Sequence, residues 1–299
     1  MRVLITGVTG FIGKEVAYFL RRKYDVYVLA RKTSDISKID STDLTILQYG
    51  KYSELIDIFT KYKFYGVIHI ASCIAIENTK DHFFSLVDSN VLFGMHLLEA
   101  SKVTNVHWFL NTGTFWQHYH NESYNPVNLY AATKKAFEDV AKFYVDSSSL
   151  IFTTIKLNDT FGPNDTRDKI FNLWLKISKS RETLDMSEGE QVIDISYIDD
   201  IVSAYATMVK NLKEGNAIQY NNKSFVVTNN DRLTLRELSH VFEEVIGEKL
   251  SINWGAKKYR EREVMEPYSF GEVVPNWEQK ITLKEAIRKV VQNIRTTEK

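Results

Sequence analysis

Residues 3–13 decide the fold, and they read Val-Leu-Ile-Thr-Gly-Val-Thr-Gly-Phe-Ile-Gly. The apolar residues 3–5 predict a buried strand, and residues 11–23 have the spacing of an amphipathic helix. The turn between them carries three glycines, which are Gly7, Gly10 and Gly13. Glycines here permit a tight turn and a close backbone approach to a pyrophosphate, which the free N–H groups of the helix N-terminus attract. The stretch therefore predicts a dinucleotide-binding turn.

Outward from this turn, short apolar runs alternate with longer amphipathic segments. Strands are predicted at residues 3–5, 26–29, 44–47, 67–70, 106–110 and 151–157. Helices are predicted at residues 11–23, 53–62, 82–102 and 129–144. The strands have the apolar character of strands buried on both faces, and the spacing is that of βαβ crossovers. The predicted fold class is α/β, with a doubly wound parallel Rossmann sheet.

The composition is that of an ordinary globular protein. Of 299 residues, 44% are hydrophobic and 25% are charged, and 38 Lys and Arg balance 38 Asp and Glu. No net positive charge exists to favour nucleic acid, and no apolar run reaches the ~18 residues of a membrane-spanning helix. The seven histidines are scattered and Cys73 is the only cysteine, so we expect no metal site and no internal disulfide. We expect a cytoplasmic protein without nucleic-acid or membrane partners.

The second predicted strand ends in Leu29-Ala30-Arg31-Lys32. An NAD-binding protein usually carries Asp or Glu at this position, where the carboxylate accepts a hydrogen bond from the ribose 2′-hydroxyl. Two cations here would instead bind the 2′-phosphate of NADP, which the guanidinium of Arg31 can hold with two hydrogen bonds. NADP(H) is therefore the predicted cofactor, although the alternative remains that an exposed strand end is simply basic.

Beyond Gly162 the regular alternation loosens. Helices are predicted at 169–180, from 198 onward, at 233–246 and at 283–294, and strands at 192–195 and 225–228. We predict an NADP-binding Rossmann domain at residues 1–162, with returning segments near 196–230. Residues 163–195 and 231–299 then form a smaller, partly interleaved α/β region that binds the substrate. A cleft is expected between the two regions.

A Tyr-x-x-x-Lys pair, Tyr130 and Lys134, opens the predicted helix at 129–144. The spacing places the phenol and the ammonium one turn apart on the same helix face. About one such pair is expected by chance in a chain this rich in Tyr and Lys, so its position carries the information. The preceding strand runs into Asn111-Thr112-Gly113-Thr114, whose hydroxyls lie at the carboxyl edge where α/β sheets bind ligands.

The glycine turn, Thr112 and the pair Tyr130 and Lys134 together resemble the extended short-chain dehydrogenase/reductase family, the NAD-dependent epimerases/dehydratases, which act on nucleotide sugars. The resemblance covers nearly the whole chain. Its further matches are His69-Ile70-Ala71-Ser72, Asn90, Phe161-Gly162-Pro163 and Ile198-Asp199-Asp200. Within the family, residues 114–116, 130–134, 159–165 and 186–200 are most similar to bacterial reductases of CDP-4-keto-6-deoxy sugars, the abequose and paratose synthase type.

The resemblance implies a role for each matched residue. Tyr130 is the acid/base, Lys134 binds the nicotinamide ribose and lowers the pKa of the tyrosine, and Thr112 hydrogen-bonds the reacting sugar oxygen. The expected cofactor-binding residues are Gly7, Thr9, Gly10, Phe11, Ile12, Gly13, Arg31, Lys32, Ala71, Ser72, Asn90, Tyr130 and Lys134. The expected substrate-binding residues are Thr112, Thr114, Asn158, Asp159, Arg167 and Lys169.

The chain departs from the family pattern at two places. The Asp that usually lies near adenine after the third strand is replaced around Gln48-Tyr49, so we expect Tyr49 to pack there. Ile193 occupies the position of an Arg that holds the substrate diphosphate in many relatives. The candidates for that contact are then Arg167, Lys169 and Arg181.

Two other reactions of the family are disfavoured by particular residues. A 4,6-dehydratase carries an Asp-Glu pair after the active-site Thr, where this chain has Gly113 and Thr114. A 3,5-epimerising reductase needs a further acid/base, often Cys with His, and Cys73 lies away from that place. His118 and His120 follow the catalytic strand and are interpreted as surface residues.

Simple reduction and 4-epimerisation with a retained cofactor remain open. The two cations after the second strand favour a consumed reductant. We therefore favour NADPH-dependent reduction of a keto group, at C4, of a nucleotide-linked 4-keto-6-deoxyhexose, a step of deoxysugar and O-antigen polysaccharide biosynthesis. A non-catalytic NADP-sensing protein is a third alternative. Its expected mark is a broken Tyr and Lys pair, and here the pair is intact.

In relatives, the helices that correspond to 82–102 and 129–144 pair two subunits through a four-helix bundle. The apolar residues of these helices serve either such a dimer or the core of the subunit, and they are Phe83, Phe84, Leu86, Phe93, Phe137 and Phe143. We expect a homodimer.

Overall fold

The computed structural model of the protein describes residues 1–74, 80–214 and 216–297. Its strands are β1 (Arg2–Thr6), β2 (Asp25–Arg31), β3 (Leu44–Tyr49), β4 (Gly66–His69), β5 (Trp108–Thr114), β6 (Ile151–Leu157), β7 (Asp159–Phe161), β8 (Leu184–Met186), β9 (Val192–Ile193), β10 (Ile195–Tyr197), β11 (Lys223–Val227), β12 (Leu233–Thr234) and β13 (Ile252–Trp254). Its helices are α1 (Phe11–Leu20), α2 (Leu55–Tyr62), α3 (Lys80–Val87), α4 (Phe93–Val103), α5 (Leu129–Ser147), α6 (Ile170–Ser180), α7 (Ile198–Glu214), α8 (Leu235–Ile246) and α9 (Leu283–Thr297). A π-helical turn, Asp88–Leu92, joins α3 to α4.

Seven strands of this described part form one parallel sheet, in the order β11-β6-β5-β4-β1-β2-β3. The chain moves from β1 to β2 and β3 on one side, and then crosses to β4, β5 and β6 on the other. β11 joins the edge beside β6 after the chain has returned through α7. The predicted doubly wound α/β sheet is confirmed, with its change of direction at β1, where such sheets bind ligands.

The strands are apolar because helices cover both faces of the sheet. In β1, the side chains of Val3, Leu4 and Ile5 are fully buried. Val3 and Ile5 belong to a core cluster shared with α1 and α7, whereas Leu4 belongs to a cluster shared with α2, α4 and α5. Alternate residues of one strand therefore fill two separate cores, which fixes the register of the strand.

The second part of the chain contains short strand pairs together with α6, α8 and α9. β7 pairs with β10, β8 with β13 and β9 with β12. The single strand predicted at 192–195 is wrong, because Asp194 separates β9 from β10. The buried carboxylate of Asp194 accepts a hydrogen bond from the N–H of Asn229 and pairs with Arg232 at 2.8 Å. This pairing fixes Asp194 between β9, which pairs with β12, and β10, which pairs with β7.

The apolar residues of α3, α4 and α5 divide between the core and the surface. The buried ones are Leu86, Phe93 and Phe137, and the exposed ones are Phe83, Phe84 and Phe143. The exposed aromatic rings form the kind of surface that a second subunit can cover. Within the described ranges, no helix combines the length and the apolar character that crossing a membrane requires.

Candidate functional site

The turn between β1 and α1 is shaped for close approach of a ligand. Gly7 has a φ of +82°, and a Cβ at this position would lie 2.6 Å from the backbone nitrogen of Ala71. A Cβ on Gly13 would lie 2.2 Å from the carbonyl oxygen of Gly7. α1 starts after Gly10, which has no capping side chain, so the first N–H groups of the helix stay open to an anion. The turn therefore fits the pyrophosphate of a dinucleotide.

The loop after β4 lies beside this turn and is held by a buried amide. The side-chain oxygen of Asn90 accepts hydrogen bonds from the hydroxyl of Ser72 and the N–H of Cys73, at 3.0 and 2.8 Å. Its NH₂ group donates to the carbonyl of Cys73 and to the hydroxyl of Thr133. Because these bonds use the amide within the protein, Asn90 supports the loop from behind, while Ala71 and Ser72 line the cavity.

A cavity of about 300 Å³ runs from the glycine turn to the end of β2. Arg31 and Ser34 line it there. Tyr49 packs as expected, with its ring stacked on that of Phe93 at 5.4 Å between centroids. Nζ of Lys32 is directed to the carboxylate of Glu54, at 3.7 Å. Of the two predicted cations, Arg31 lines the cavity, whereas Lys32 is not among its lining residues.

Tyr130 and Lys134 lie one turn apart on α5 and line a smaller cavity of about 120 Å³. Asn128 caps the helix, since its side-chain oxygen accepts a hydrogen bond from the N–H of Ala131 at 3.0 Å. The cap fixes the start of the helix and places Tyr130 in its first turn. The predicted pair is thus brought together at the carboxyl edge of the sheet.

Burial dominates the titration of this pair. It raises the pKa of Tyr130 to about 12, and hydrogen bonds with the hydroxyls of Ser72 and Thr114 offset only part of the rise. Burial outweighs these hydrogen bonds, and the net direction favours the protonated phenol. Burial lowers the pKa of Lys134 to about 8, with the Glu138 carboxylate acting in the opposite direction. Nζ of Lys134 is buried and has no hydrogen-bond partner among the described residues.

The two threonines at the end of β5 have different partners. Thr114 interacts with the phenol of Tyr130. Thr112, which we expected at the reacting sugar oxygen, lines the same cavity, and its Oγ1 lies 2.6 Å from the phenol oxygen of Tyr205 on α7. Sequence reasoning missed Tyr205, because a tyrosine on the buried face of a helix looks like an ordinary core residue.

The two predicted substrate cations lie in the cleft, and each is already paired with a carboxylate. Arg167 donates to Asp165 at 2.7 Å and to the carbonyl of Thr160 at 2.9 Å. Nζ of Lys169 lies 2.6 Å from the carboxylate of Asp159. Both cations line the cavity, and each has its charge balanced by a carboxylate, Asp165 for Arg167 and Asp159 for Lys169.

A third cavity, of about 390 Å³, extends beyond Asn158 and Asp159. Residues 259–270, which we call the arginine segment, contribute Arg260 and Arg262 to its lining. Arg262 donates to the side-chain oxygen of Asn125, and its guanidinium lies over the ring of Tyr119, 4.3 Å from the centroid. Sequence reasoning missed both arginines. The available signal was the long irregular stretch between β13 and α9, since long loops in compact proteins usually carry function.

Acidic residues also line this third cavity, but the buried one is neutralised. Asp194 pairs with Arg232, while Glu261 and Glu263 belong to the arginine segment itself. Arg181 lies elsewhere, in a separate cavity between α6, α8 and α9. The suggestion that Arg181 contacts the substrate diphosphate is therefore wrong.

His118 is buried, and our interpretation of it as a surface residue is wrong. Its Nε2 accepts a hydrogen bond from Nζ of Lys156 at 2.7 Å, and its Nδ1 donates to the carbonyl of Glu122 at 3.0 Å. Burial and the charge of Lys156 lower the pKa of His118, so the ring stays neutral. Tyr268 of the arginine segment stacks on it, 4.0 Å between centroids. His118 therefore connects β6 to the arginine segment.

The three cavities share lining residues and form one continuous cleft. The first and second share Ile12, Ile70, Ser72, Ile74 and Arg167, and the second and third share Trp116, Asn158 and Asp159. Tyr130 and Lys134 lie at its centre, between the glycine turn and the arginine segment. Such a cleft can bind a dinucleotide and a second elongated ligand with their reacting atoms beside one phenol.

Comparison with known proteins agrees with this arrangement. The model of the NAD dependent epimerase/dehydratase family matches residues 3–222. The chain belongs to the NAD-dependent epimerase/dehydratase family.

Relatives in this epimerase/dehydratase family are similar over nearly the whole chain. A CDP-abequose synthase of Salmonella muenchen is 26% identical over 296 residues, which cover 97% of each protein. A CDP-abequose synthase of Yersinia pseudotuberculosis is 29% identical over 269 residues, covering 89% of this chain and 92% of that protein. Among solved structures, a UDP-glucuronic acid 4-epimerase from Bacillus cereus in complex with UDP-glucuronic acid and NAD has a TM-score of 0.85 at 18% identity, with 99% of this chain and 100% of that chain covered.

Proposed function

We propose that the protein reduces the C4 keto group of a nucleotide-linked 4-keto-6-deoxyhexose with NADPH, in deoxysugar biosynthesis for polysaccharides such as O-antigen. The observation that carries the proposal is the continuous cleft, in which Tyr130 and Lys134 lie between the glycine turn and the arginine segment. The similarity to CDP-abequose synthases over nearly the whole chain supports a nucleotide sugar as the substrate.

Arg31 supports NADPH as the reductant. Its exposed side chain lines the cofactor cavity and makes no ion pair among the described residues. The end of β2 offers no carboxylate to accept a hydrogen bond from a ribose 2′-hydroxyl. A guanidinium at this position matches the charge and geometry of a 2′-phosphate.

Side chains of this cavity would donate a proton to the substrate and orient its carbonyl oxygen. Lys134, buried without a hydrogen-bond partner among the described residues, is placed to bind ribose hydroxyls. The protonated phenol of Tyr130 gives its proton to the carbonyl oxygen as that oxygen gains negative charge. Thr112 and Thr114 line the same small cavity and orient that oxygen. The bound nicotinamide would supply a hydride to the carbonyl carbon.

The arginine segment supports a diphosphate at the far end of the cleft. Arg260 and Arg262 line the third cavity and make no ion pair among the described residues. Lys169 and Arg232, by contrast, are engaged with Asp159 and Asp194. We therefore assign residues 163–195 and 231–299 to the substrate, and residues 1–162 with α7 and β11 to the cofactor.

A nucleotide-sugar 4-epimerase with a retained cofactor is the second candidate. The likeness to the UDP-glucuronic acid 4-epimerase favours it. In such a reaction a bound nicotinamide would take a hydride from C4 and return it to the opposite face, while Tyr130 would take up and return the hydroxyl proton. Arg31 favours the reductase, because a guanidinium at this position fits a consumed NADPH better than a retained NAD.

Exposed aromatic rings and the single cysteine support proposals for the oligomeric state and the compartment. We propose a homodimer in which a second subunit covers the exposed rings of Phe83, Phe84 and Phe143. Cys73 is the only cysteine and is free, which suits a reducing compartment, and we propose the cytoplasm.

The test uses purified protein with NADPH or NADH and a panel of CDP-, dTDP- and GDP-linked 4-keto-6-deoxyhexoses. We expect one equivalent of NADPH to be oxidised per sugar reduced, a much slower reaction with NADH, and a product hydroxyl at C4 by NMR. A 4-epimerase would instead invert C4 of a nucleotide sugar without net oxidation of NADPH. If the protein turned over neither class of substrate, both assignments would be wrong.

A further inference from the structure

A buried hydrogen bond between β5 and α7 lies beside the reaction centre. The phenol oxygen of Tyr205 lies 2.6 Å from Oγ1 of Thr112. Tyr205 is fully buried on α7, and Thr112 is 9% exposed at the cavity that holds Tyr130. The two residues are 93 positions apart in the chain. α7 and α5 pack on opposite faces of the sheet, and Tyr205 therefore reaches β5 from the face opposite to the catalytic helix α5.

The direction of the bond follows from counting donors and acceptors. A buried phenol must donate its proton, because an unsatisfied buried O–H is costly. Among the described residues, Oγ1 of Thr112 is the partner of the Tyr205 side chain. Tyr205 therefore donates and Thr112 accepts. The proton of the threonine hydroxyl is then free to turn into the cavity.

We propose that Tyr205 is a positioning residue that holds Thr112 as a hydrogen-bond donor toward the reacting sugar oxygen. The proposal rests on the proposed function and assigns a role to a residue outside the cleft lining. With Tyr130 on one side and Thr112 on the other, the carbonyl oxygen receives two donors as its negative charge grows. The bond from Tyr205 polarises the threonine hydroxyl and strengthens its donation, since linked hydrogen bonds reinforce one another.

The phenol of Tyr205 stays a donor throughout the working pH range. Burial raises the pKa of Tyr205 well above the ordinary value for a phenol, with the hydroxyl of Thr112 acting in the opposite direction and Tyr130 adding to the rise. Tyr130 of α5 is the titratable group that faces the phenol of Tyr205, and the raised pKa of Tyr130 keeps its own phenol uncharged at neutral pH. Tyr205 thus serves as a fixed donor, and the proton of catalysis comes from Tyr130.

The kinetic test compares Tyr205→Phe, Thr112→Val and the double variant, all purified as full chains. We expect Tyr205→Phe to lower kcat about 10-fold, the scale of one lost hydrogen bond in a chain, while the substrate KM and the Kd for NADPH change little. The double variant should be no slower than Thr112→Val alone, because Tyr205 acts through Thr112. Tyr220→Phe, which removes the phenol oxygen of another buried tyrosine, is the matched control and should keep full kcat. Unchanged kcat in Tyr205→Phe, or additive losses in the double variant, would overturn the proposal.

A second measurement is independent of the reaction. Thr112→Val removes the acceptor of a buried O–H, so its Tm should fall, and adding Tyr205→Phe should restore part of the loss because no orphaned donor remains. A further fall of Tm in the double variant would contradict the pairing of these two hydroxyls. If the wild-type protein reduced none of the sugars but showed this Tm pattern, the hydrogen bond would stand and the ketoreductase assignment would fail. If it acted as a 4-epimerase, the same kinetic cycle would be measured on that reaction.

Discussion

The glycine turn and the arginine segment close the two ends of one cleft, but different kinds of contact hold them. At the glycine turn, the close approaches are between backbone atoms of Gly7, Gly13 and Ala71. At the arginine segment, side chains from distant parts of the chain meet: Arg262 donates to Asn125, a residue 137 positions away. Backbone geometry therefore builds the glycine-turn end, which we assign to the cofactor and call the cofactor end. Paired side chains build the other end, which we assign to the substrate and call the substrate end. The difference implies that single side chains can be removed from the second end without deforming the first.

Tyr130→Phe tests the point at which the two ends meet, and it should have the largest effect on turnover. The variant loses the proton donor but keeps the ring, so we expect kcat to fall ~10²-fold or more. The Kd for NADPH and the substrate KM should change little, since neither end of the cleft is altered. Stopped-flow and steady-state kinetics, with a fluorescence titration of NADPH, measure these quantities.

The matched control for this variant is Tyr144→Phe, which removes the phenol oxygen of a buried tyrosine of the same helix outside the cleft. It should keep wild-type turnover. A Tyr130→Phe protein with full kcat would mean that another group donates the proton. Tyr130 would then not be the chemical centre between the two ends of the cleft.

The sequence predicts the cofactor end far better than the substrate end, and the reason is physical. Strand, turn and helix follow one another within residues 2–20, so local periodicity and three glycines suffice to place the turn. The position of Arg31 could be predicted because the apolar run of the second strand shows where that strand ends. Nothing in the sequence indicates that the neighbouring Lys32 pairs with Glu54, at 3.7 Å, since Glu54 lies beyond the next strand.

The substrate end depends on pairings that no local pattern encodes. His118 looked like a surface residue because its partners, Lys156 and Tyr268, come from another strand and from the arginine segment. Tyr205 lies 93 positions from Thr112, and nothing near it marks the contact. Arg260 and Arg262 lie in an irregular stretch, where hydrophobic periodicity gives no guide. Long-range side-chain contacts, rather than secondary structure, limited the prediction.

Removal of either arginine of the arginine segment should affect only the substrate end. In Arg260→Ala and Arg262→Ala, we expect the KM for the nucleotide sugar to rise ~10- to 100-fold, the scale of one hydrogen bond between charged groups. The Kd for NADPH should stay unchanged, because the glycine turn does not depend on these side chains. Arg181→Ala, in the separate cavity beside α6, is the matched control and should leave both quantities unchanged. An equal rise of the NADPH Kd would show that the arginine segment supports the cofactor end as well.

Arg31→Ala is the corresponding side-chain deletion at the cofactor end, and we expect the smallest effect from it. The exposed guanidinium contacts only the 2′-phosphate in our proposal, so the KM for NADPH should rise about 10-fold while the KM for NADH stays the same. The rise should shrink as salt is added, because salt screens an exposed charge pair. Lys32→Ala is the matched control, and since Nζ of Lys32 is directed to Glu54, it should change neither KM. A parallel loss with both cofactors would instead make Arg31 a structural residue of the strand end. The cofactor end would then depend on side-chain contacts as the substrate end does.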